Sequence, residues 1–249
     1  MSDRHWPSRP WQRQALVTSV LAVAGSAALA GCGGASSSSS TAATVQSPAA
    51  SSPATVSFSS AQLKAALLDE VNGSKPASAA ESGNYGALPD VQTSKQTMNG
   101  VKVDPAKCAA ASQTGFNSAA FTDAPASVVT FKVGNDGVSE VLVSTSATAA
   151  QTALGNSLPS GCSHYSATVD GKTFKYTVKE SSLAGLAQQA RALNVKAAGY
   201  SSVDVWSVVY KGAGFVGAVT MVGPDATEAG VKDLAQAAYA HASQSLTAS

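Results

Sequence analysis

The chain has 249 residues, of which 44% are hydrophobic and 12% are charged, and its formal net charge is +1. This length and composition suit one globular domain with its own core. Neither a basic patch nor an acidic tail is present, which argues against nucleic acid as a partner. After residue 31 the only arginine is Arg191. Phosphate- and carboxylate-rich partners are usually bound by bidentate arginine contacts, so the sequence gives such partners little support.

The first 31 residues have the layout of a secretory signal peptide. Three arginines precede an apolar run from Ala15 to Ala28, and small residues follow it. The run is too short to span a bilayer as a finished helix. We therefore expect residues 1–31 to be removed. An uncleaved membrane anchor is the less favoured alternative.

The predicted cut lies directly before Cys32. Residues Leu29-Ala30-Gly31-Cys32 resemble the lipobox of bacterial lipoproteins, in which the cysteine thiol receives a diacylglycerol and the peptide is cut before it. Two or more acyl chains hold a protein stably at a membrane. The sequence therefore predicts an exported protein that is anchored by lipid on Cys32 at the outer face of the cell membrane.

A flexible tether is predicted between the lipid and the folded part. Residues 33–57 consist almost entirely of Ser, Ala, Thr, Pro, Gly and Val and carry no charge, so they cannot bury enough apolar surface to fold. We therefore assign a lipidated tether to residues 32–57 and one domain to residues 58–249. Without residues 1–31, the chain has 13 basic and 14 acidic residues, a formal charge of −1.

Two cysteines remain once Cys32 is assigned to lipid. Cys108 and Cys162 form one pair in a compartment that permits disulfides, and we predict that they are bonded to each other. Two unrelated buried thiols are the alternative. Two cysteines without a nearby pair of histidines do not form a zinc site, and the sequence predicts no metal and no cofactor.

The domain is predicted to begin with a helix. Ser59 and Gln62 form a capping-box pattern, and the apolar residues that follow predict a helix ending near Gly73. Residues 74–100 show no sustained period and are expected to form mostly loop. Three more helices have start signals: Asp104-Pro105, with Cys108 in the first turn of a helix to about residue 118; Ser146, for a short alanine-rich helix; and Asp225 with Glu228, for a long final helix.

Three antiparallel strand pairs are predicted, and each has turn residues at its tip. In the second pair, a two-residue turn at Asp170-Gly171 sets Tyr165 opposite Tyr176. The third pair is apolar on both faces, which is typical of strands in the middle of a sheet. Helices before and after such strands predict an α+β fold, a single domain with an antiparallel sheet and helices packed mainly on one face. The pairs are Ser127–Val133 with Val138–Ser144, Ser163–Val169 with Lys172–Lys179, and Val203–Lys211 with Phe215–Val222.

Residues 212–217 spell G-x-G-x-x-G directly after a predicted strand. A dinucleotide site requires a helix to begin there, whereas the residues that follow alternate as a strand does. We interpret Gly212 and Gly214 as hairpin residues that tolerate positive φ. No nucleotide is expected.

No catalytic residue is predicted. Beyond residue 31 the chain contains only two histidines, His164 and His241, and no G-x-S-x-G motif. Ser163 adjoins His164, but neighbouring side chains on a strand point to opposite faces. A hydrolase is therefore the least favoured function. A hydrogen-bonded His–Ser pair in an open cleft would be evidence for a hydrolase.

Four aromatic residues form a candidate ligand pocket: Trp206, Tyr210, Tyr165 and Tyr176. Their alternation along the strands is explained equally well by packing in the core, because apolar residues on a sheet face are usually buried. We prefer the interpretation that they are core residues, and the pocket remains the alternative.

From Asp104 to the C-terminus the order of parts resembles the PknH-like sensor domain family, the extracellular domain of a mycobacterial serine/threonine kinase and related actinobacterial lipoproteins. The resemblance implies an α+β domain with a central antiparallel sheet and a cleft for an unknown extracellular ligand. Members often carry two disulfides, whereas this chain has cysteines for one. The resembling segments are Asp104-Pro105-Ala106-Lys107-Cys108, Cys162 after an alanine-rich helix, and the hairpin Val205–Val222 before the final helix.

We therefore expect a monomeric, lipid-anchored binding or sensing protein of the cell envelope without catalytic activity. Its partner is expected to be an unidentified small molecule or envelope protein. The alternative is a structural or interaction lipoprotein that docks on another envelope protein. A pocket lined by the aromatic residues favours the first function, and an exposed docking patch favours the second.

Overall fold

The computed structural model describes residues 57–111, 119–155, 158–183, 185–186, 189–198 and 204–247. The predicted signal peptide, Cys32 and all of the tether except Ser57 lie outside the described residues. Among the helices that are described, none is long and apolar enough to cross a membrane.

Nine strands form one antiparallel sheet in the order β1-β3-β4-β9-β8-β7-β6-β5-β2. Strand β8 is the central strand in this order and β9 lies beside it, so the pair that the sequence predicted for the middle of the sheet does lie there. The strands are β1 (Glu81–Asn84), β2 (Lys102–Asp104), β3 (Pro125–Val133), β4 (Asp136–Ser144), β5 (His164–Val169), β6 (Lys172–Ser182), β7 (Ala190–Ala198), β8 (Asp204–Lys211) and β9 (Phe215–Gly223). The described α-helices are α1 (Ser60–Ala65), α2 (Pro89–Asn99), α3 (Ala119–Thr122), α4 (Ala147–Gly155) and α5 (Glu228–Ser245).

The α+β class and all three predicted hairpins are confirmed. The second hairpin has the predicted register, in which Tyr165 pairs with Tyr176 across the Asp170-Gly171 turn. The sequence did not predict β1, β2 or β7. β1 and β2 are short edge strands, and β7 (Ala190–Ala198) lies between segments without a clear turn signal.

The helices cover both faces of the sheet, not mainly one face as expected. We call the face that carries Tyr210 the front face and the face that carries Val209 the back face. On the front face, α1 and α5 pack with Val208 and Tyr210 in one core cluster. On the back face, α2, α3 and α4 pack with Val209 in another. The reason is that β8 and β9 are apolar on both sides, so the centre of the sheet needs a cover on each.

Several helix boundaries differ from the predictions. The capping box of Ser59 is confirmed, but α1 ends at Ala65 and not near Gly73. Helix α2 and strand β1 lie in the segment that was predicted as loop. The helix was missed because α2 buries only Val91 and Ser94, so its sequence shows no apolar period. The sequence predicted that the final helix starts at Asp225, but Thr227 caps α5 instead. The backbone N–H of Asp225 donates to the Asp136 carboxylate.

The segment around Asp104-Pro105 also differs from the prediction. Asp104 ends strand β2, and a short 3-10 helix spans Ala106–Ala110. Residues 112–118 lie outside the described part of the chain, so the predicted helix is not seen beyond that point. Ser146 caps α4 as expected, through its hydroxyl and the N–H of Ala149.

The predicted disulfide is confirmed. Cys108 and Cys162 are bonded with their Cα atoms 5.3 Å apart, and both side chains are fully buried. The bond lies in a cluster on the back face of β5, β6 and β7, together with Tyr165 and Val178. It therefore closes the end of the back face that the three helices do not cover.

The glycines of the G-x-G-x-x-G sequence serve the packing of the β8–β9 hairpin. Gly214 has a positive φ of 80°, as predicted, and lies in the turn. Gly212 also lies at the hairpin but does not have a positive φ, and its lack of a side chain leaves room for the Phe215 ring. Gly217 lies opposite Tyr210 in the register, and a Cβ atom there would overlap the Tyr210 ring. The motif is explained without a nucleotide.

The N-terminal segment is attached to the front of the sheet by three long-range hydrogen bonds. The Phe58 N–H donates to the Ser144 hydroxyl over 2.9 Å, and the Ser127 hydroxyl donates to the carbonyl of Ser60 over 2.9 Å. The Leu68 N–H donates to Oε2 of Glu140 over 2.8 Å. Apolar side chains of the same segment, such as Leu63, are buried in the core. The point where the tether ends is therefore part of the folded core.

The carboxyl group of Glu140 is buried in this front core, with 1% of the residue exposed. Burial raises the pKa of Glu140 to about 7, against the opposing effect of the Leu68 N–H. Burial, and then the charge of Glu140, raises the pKa of Tyr210 on β8. Within the described residues, neither Oε1 of Glu140 nor the Tyr210 hydroxyl has a hydrogen-bond partner. The ionised carboxylate is thus poorly compensated.

We expect Gly217→Ala to lower the free energy of unfolding by about 1–3 kcal/mol, because the new methyl group overpacks against the Tyr210 ring. Chemical denaturation measures this change. Gly155→Ala is the matched control, since no atom lies within 4 Å of the Cβ position at Gly155. Equal effects of the two substitutions would contradict the packing role of Gly217.

We expect the stability of the protein to fall as pH rises from about 4.5 to about 7, because the unfolded chain releases the Glu140 proton earlier than the folded chain does. The contribution of protonated Glu140 to the free energy of unfolding is complete below about pH 4.5 and is lost as pH rises through about 7. This loss lowers the free energy of unfolding by up to about 3 kcal/mol. Glu140→Gln keeps an oxygen for the Leu68 N–H and should remove the part of the decline that Glu140 causes. The raised pKa values of Glu81, Asp90 and Asp136 account for the rest. Urea unfolding across this pH range measures it.

The control for the pH experiment is Glu70→Gln, which changes an exposed glutamate that pairs with Lys75. This variant should keep the pH dependence of the unchanged protein. A decline that persists in full in Glu140→Gln would show that another group causes it.

Candidate functional site

The four aromatic residues of the candidate pocket do not come together. Tyr210 and Trp206 pack with the front-face cluster, which contains α1 and α5. Tyr165 and Tyr176 pack with the back-face cluster around the disulfide. A single pocket lined by all four is therefore excluded by the sheet that lies between the two pairs.

In each pair one aromatic residue is buried, Tyr210 or Tyr165, and the other, Trp206 or Tyr176, is half-buried against the same cluster. Tyr210 is fully buried, and its ring makes edge contacts with Phe215 and with Tyr239 of α5, with centroids 6.5 and 5.8 Å apart. Tyr165 stacks on Tyr176 with the centroids 5.1 Å apart, and burial raises the pKa of Tyr176. These contacts favour the interpretation that the aromatic residues stabilise the fold.

A hydrogen bond does join Ser163 to His164, although the sequence predicted that their side chains diverge. The Ser163 hydroxyl lies 3.1 Å from Nδ1 of His164. Strand alternation does not apply to Ser163 because β5 begins at His164. Both side chains are exposed, and in the described part of the chain no carboxylate pairs with the His164 ring. A nucleophile needs a base that a third group orients, so we assign this pair no catalytic role.

Metal ligands are not clustered either. Among the described residues, no three His, Cys, Asp or Glu side chains lie close enough to hold a metal ion.

A polar surface remains on the front of the sheet beyond the two helices. Helices α1 and α5 pack against the front of β3, β4, β8 and β9, and the front core cluster that they form contains no described residue of β5 or β6. On these outer strands Tyr165, Ala167 and Val178 point to the back and are buried around the disulfide. Those that point to the front are polar. We call this surface, formed by the front of β2, β5, β6 and the end of β7, the open face.

The strand register brings the residues of the open face together. Lys175 lies opposite Ser166, and Thr177 lies between His164 on β5 and Lys196 on β7. The other members are placed in the same way on neighbouring strands. The open face contains four lysines (Lys102, Lys175, Lys179, Lys196), four hydroxyl residues (Ser166, Thr168, Thr173, Thr177), His164 and Asp104.

The lysines of the open face outnumber its acidic groups. Lys196 pairs with Asp204 at 3.0 Å, and Asp104 is the other carboxylate at this surface. Four lysines and these two aspartates give a formal local charge of +2. Lys102, Lys175 and Lys179 are exposed, and none of them forms an ion pair with a described residue. The open face can therefore hold an anionic partner by charge.

Composition did not reveal this surface because its lysines are spread over 95 positions of the sequence, from Lys102 to Lys196. One signal was present. The predicted register of β5 and β6 already placed His164, Lys175 and Thr177 on one side of the hairpin, opposite the aromatic residues. Two contributing strands, β2 and β7, were not predicted, so the extent of the surface was missed.

Arg191 serves a different role from the lysines. The Arg191 side chain lies on the back face and is 90% buried, and its guanidinium pairs with the Glu180 carboxylate at 3.2 Å. The same carboxylate accepts a hydrogen bond from the N–H of Leu158 over 2.8 Å. The ion pair joins β6 to β7, and the hydrogen bond from Leu158 connects the segment after α4 to the sheet, so we assign both to the fold.

Comparison of the fold with solved structures supports the family resemblance that the sequence suggested. The extracellular domain of PknH from Mycobacterium tuberculosis has a similar structure, with a TM-score of 0.52 and 15% sequence identity. The likeness covers 78% of this chain and 98% of that domain. At this identity, the shared feature is the fold.

A second solved structure, a putative uncharacterized protein from Mycobacterium smegmatis, is similar over 58% of this chain and 77% of that one. Its TM-score is 0.38 at 17% identity, and we base nothing on it. No family model and no curated protein matches the sequence.

Proposed function

We propose that this chain is an extracytoplasmic sensing or interaction protein of the cell envelope, without catalytic activity, anchored to the outer face of the membrane by lipid on Cys32. The observation that carries the proposal is the likeness of its fold to the extracellular domain of PknH over 98% of that domain's length. The lipobox before Cys32 and the buried disulfide Cys108–Cys162 agree with export.

The open face supports the interpretation that the protein docks on other components of the envelope. Trp206 and Tyr210 lie on the other side of the sheet from Tyr165 and Tyr176, which weakens the case for a small-molecule pocket between them. The open face is the described surface with polar side chains that point to solvent and no covering element. A small molecule that co-purifies with the protein would favour sensing by a pocket instead.

We expect Cys32→Ala to abolish incorporation of a labelled fatty acid and to let a wash of about 0.5 M NaCl release the protein from the membrane fraction, because Cys32 is the proposed acylation site and salt screens contacts made by exposed charges alone. Metabolic labelling followed by fractionation measures both effects. The double variant Cys108→Ala/Cys162→Ala is the control, since it removes the other two cysteines and should keep the label. A Cys32→Ala protein that retains the label would contradict the anchor.

We also expect protein isolated from the cell envelope to contain the Cys108–Cys162 disulfide, since an exported protein folds in an oxidising compartment. Intact mass before and after reduction measures the bond. Reduction should lower the free energy of unfolding by up to about 4 kcal/mol, the chain-entropy value for a loop of this length. Two free thiols in the isolated protein would argue against export.

A further inference from the structure

We propose that the open face docks on an anionic lipid surface, so that the domain lies against the membrane to which its tether holds it. This inference rests on the proposed lipid anchor for its setting. The docking itself depends only on side chains of the folded domain.

The first support is the segregation of charge. Beyond residue 31 the chain carries a formal charge of −1, whereas four lysines and two aspartates give the open face +2. Lys102, Lys175 and Lys179 are exposed and unpaired with any described acidic group. The rest of the protein is correspondingly acidic. A surface of negative charge would therefore attract this side of the domain more strongly than the rest of it.

The second support is the chemistry of the face. Its lysines are compact charges that bind phosphate oxygens without a fixed geometry, which suits the fluid headgroups of a bilayer. The neighbouring hydroxyl of Thr177, which lies between His164 and Lys196 in the register, can donate to the same oxygens. Since the side chains facing this way are polar, the face is suited to lie on headgroups and not to enter the hydrocarbon.

The third support is the length of the tether. The 25 residues at 33–57 separate Cys32 from the domain, and a flexible chain of that length has a mean reach of about 25–30 Å. A domain of this size has a radius of gyration of about 16 Å, so the tether lets any side of it meet the lipid. Tethering also gives an effective concentration in the millimolar range, at which a weak surface contact is populated.

Vesicle binding by the mature chain with Cys32→Ser tests the inference without an acyl group. We expect this protein to sediment with vesicles of phosphatidylglycerol and phosphatidylcholine but not with phosphatidylcholine alone. Since one lysine near an anionic surface changes binding about fivefold, Lys102→Gln/Lys175→Gln/Lys179→Gln should lower the partition coefficient by about 100-fold. Raising NaCl from about 0.05 M to about 0.5 M should release the unchanged protein, because salt screens exposed charges.

The control variant is Lys64→Gln/Lys132→Gln/Lys232→Gln, which removes the same charge from α1, β3 and α5, outside the open face. It should bind vesicles nearly as well as the unchanged protein. Circular dichroism should show that both variants are folded, as expected for substitutions of surface lysines.

Equal loss of binding in the two triple variants would overturn the inference, because net charge and not the open face would then be responsible. Equal binding to phosphatidylcholine alone would also overturn it. So would failure to bind any vesicle while the protein binds soluble polyphosphate, which would point to an anionic polymer as the partner. None of these results bears on acylation of Cys32, which the labelling experiment tests separately.

Discussion

The fold depends on two central strands that are apolar on both faces. Because β8 and β9 present valines or aromatic rings to either side, the middle of the sheet is stable only when both faces are covered. Helices α1 and α5 supply the front cover, and α2 to α4 supply the back cover. The nine-stranded sheet is wider than these covers. Its outer strands β5 and β6 are therefore buried only at the back, around the disulfide, and the open face is a consequence of this limit.

Local patterns in the sequence predicted the features that depend on neighbouring residues. The turn at Asp170-Gly171 determined the register that pairs Tyr165 with Tyr176, and Ser59 with Gln62 determined the start of α1. Features that depend on distant residues were not predictable in the same way. Helix α2 has little apolar period because only Val91 and Ser94 point inward, and the lysines of the open face meet only through strand pairing.

The hairpin between β8 and β9 illustrates why the structural setting of a motif decides its meaning. Its three glycines fit a nucleotide fingerprint by spacing, yet each serves a neighbouring aromatic ring or the turn itself. Gly212 admits Phe215, Gly214 makes the turn and Gly217 admits Tyr210. Because the rings of Phe215 and Tyr210 also contact each other, the glycines allow the aromatic packing that supports α5 through Tyr239.

The attachment of the N-terminal segment links the two proposed membrane contacts. The backbone N–H groups of Phe58 and Leu68 are hydrogen-bonded to side chains of β4. A force on the tether is therefore transmitted directly to the sheet. Strand β4 lies three strands from β7, where the open face begins. The lipid on Cys32 would then limit the distance of the domain from the membrane, while the lysines would select which side turns towards it. A change in headgroup charge or ionic strength would alter the orientation of the domain without breaking its anchor.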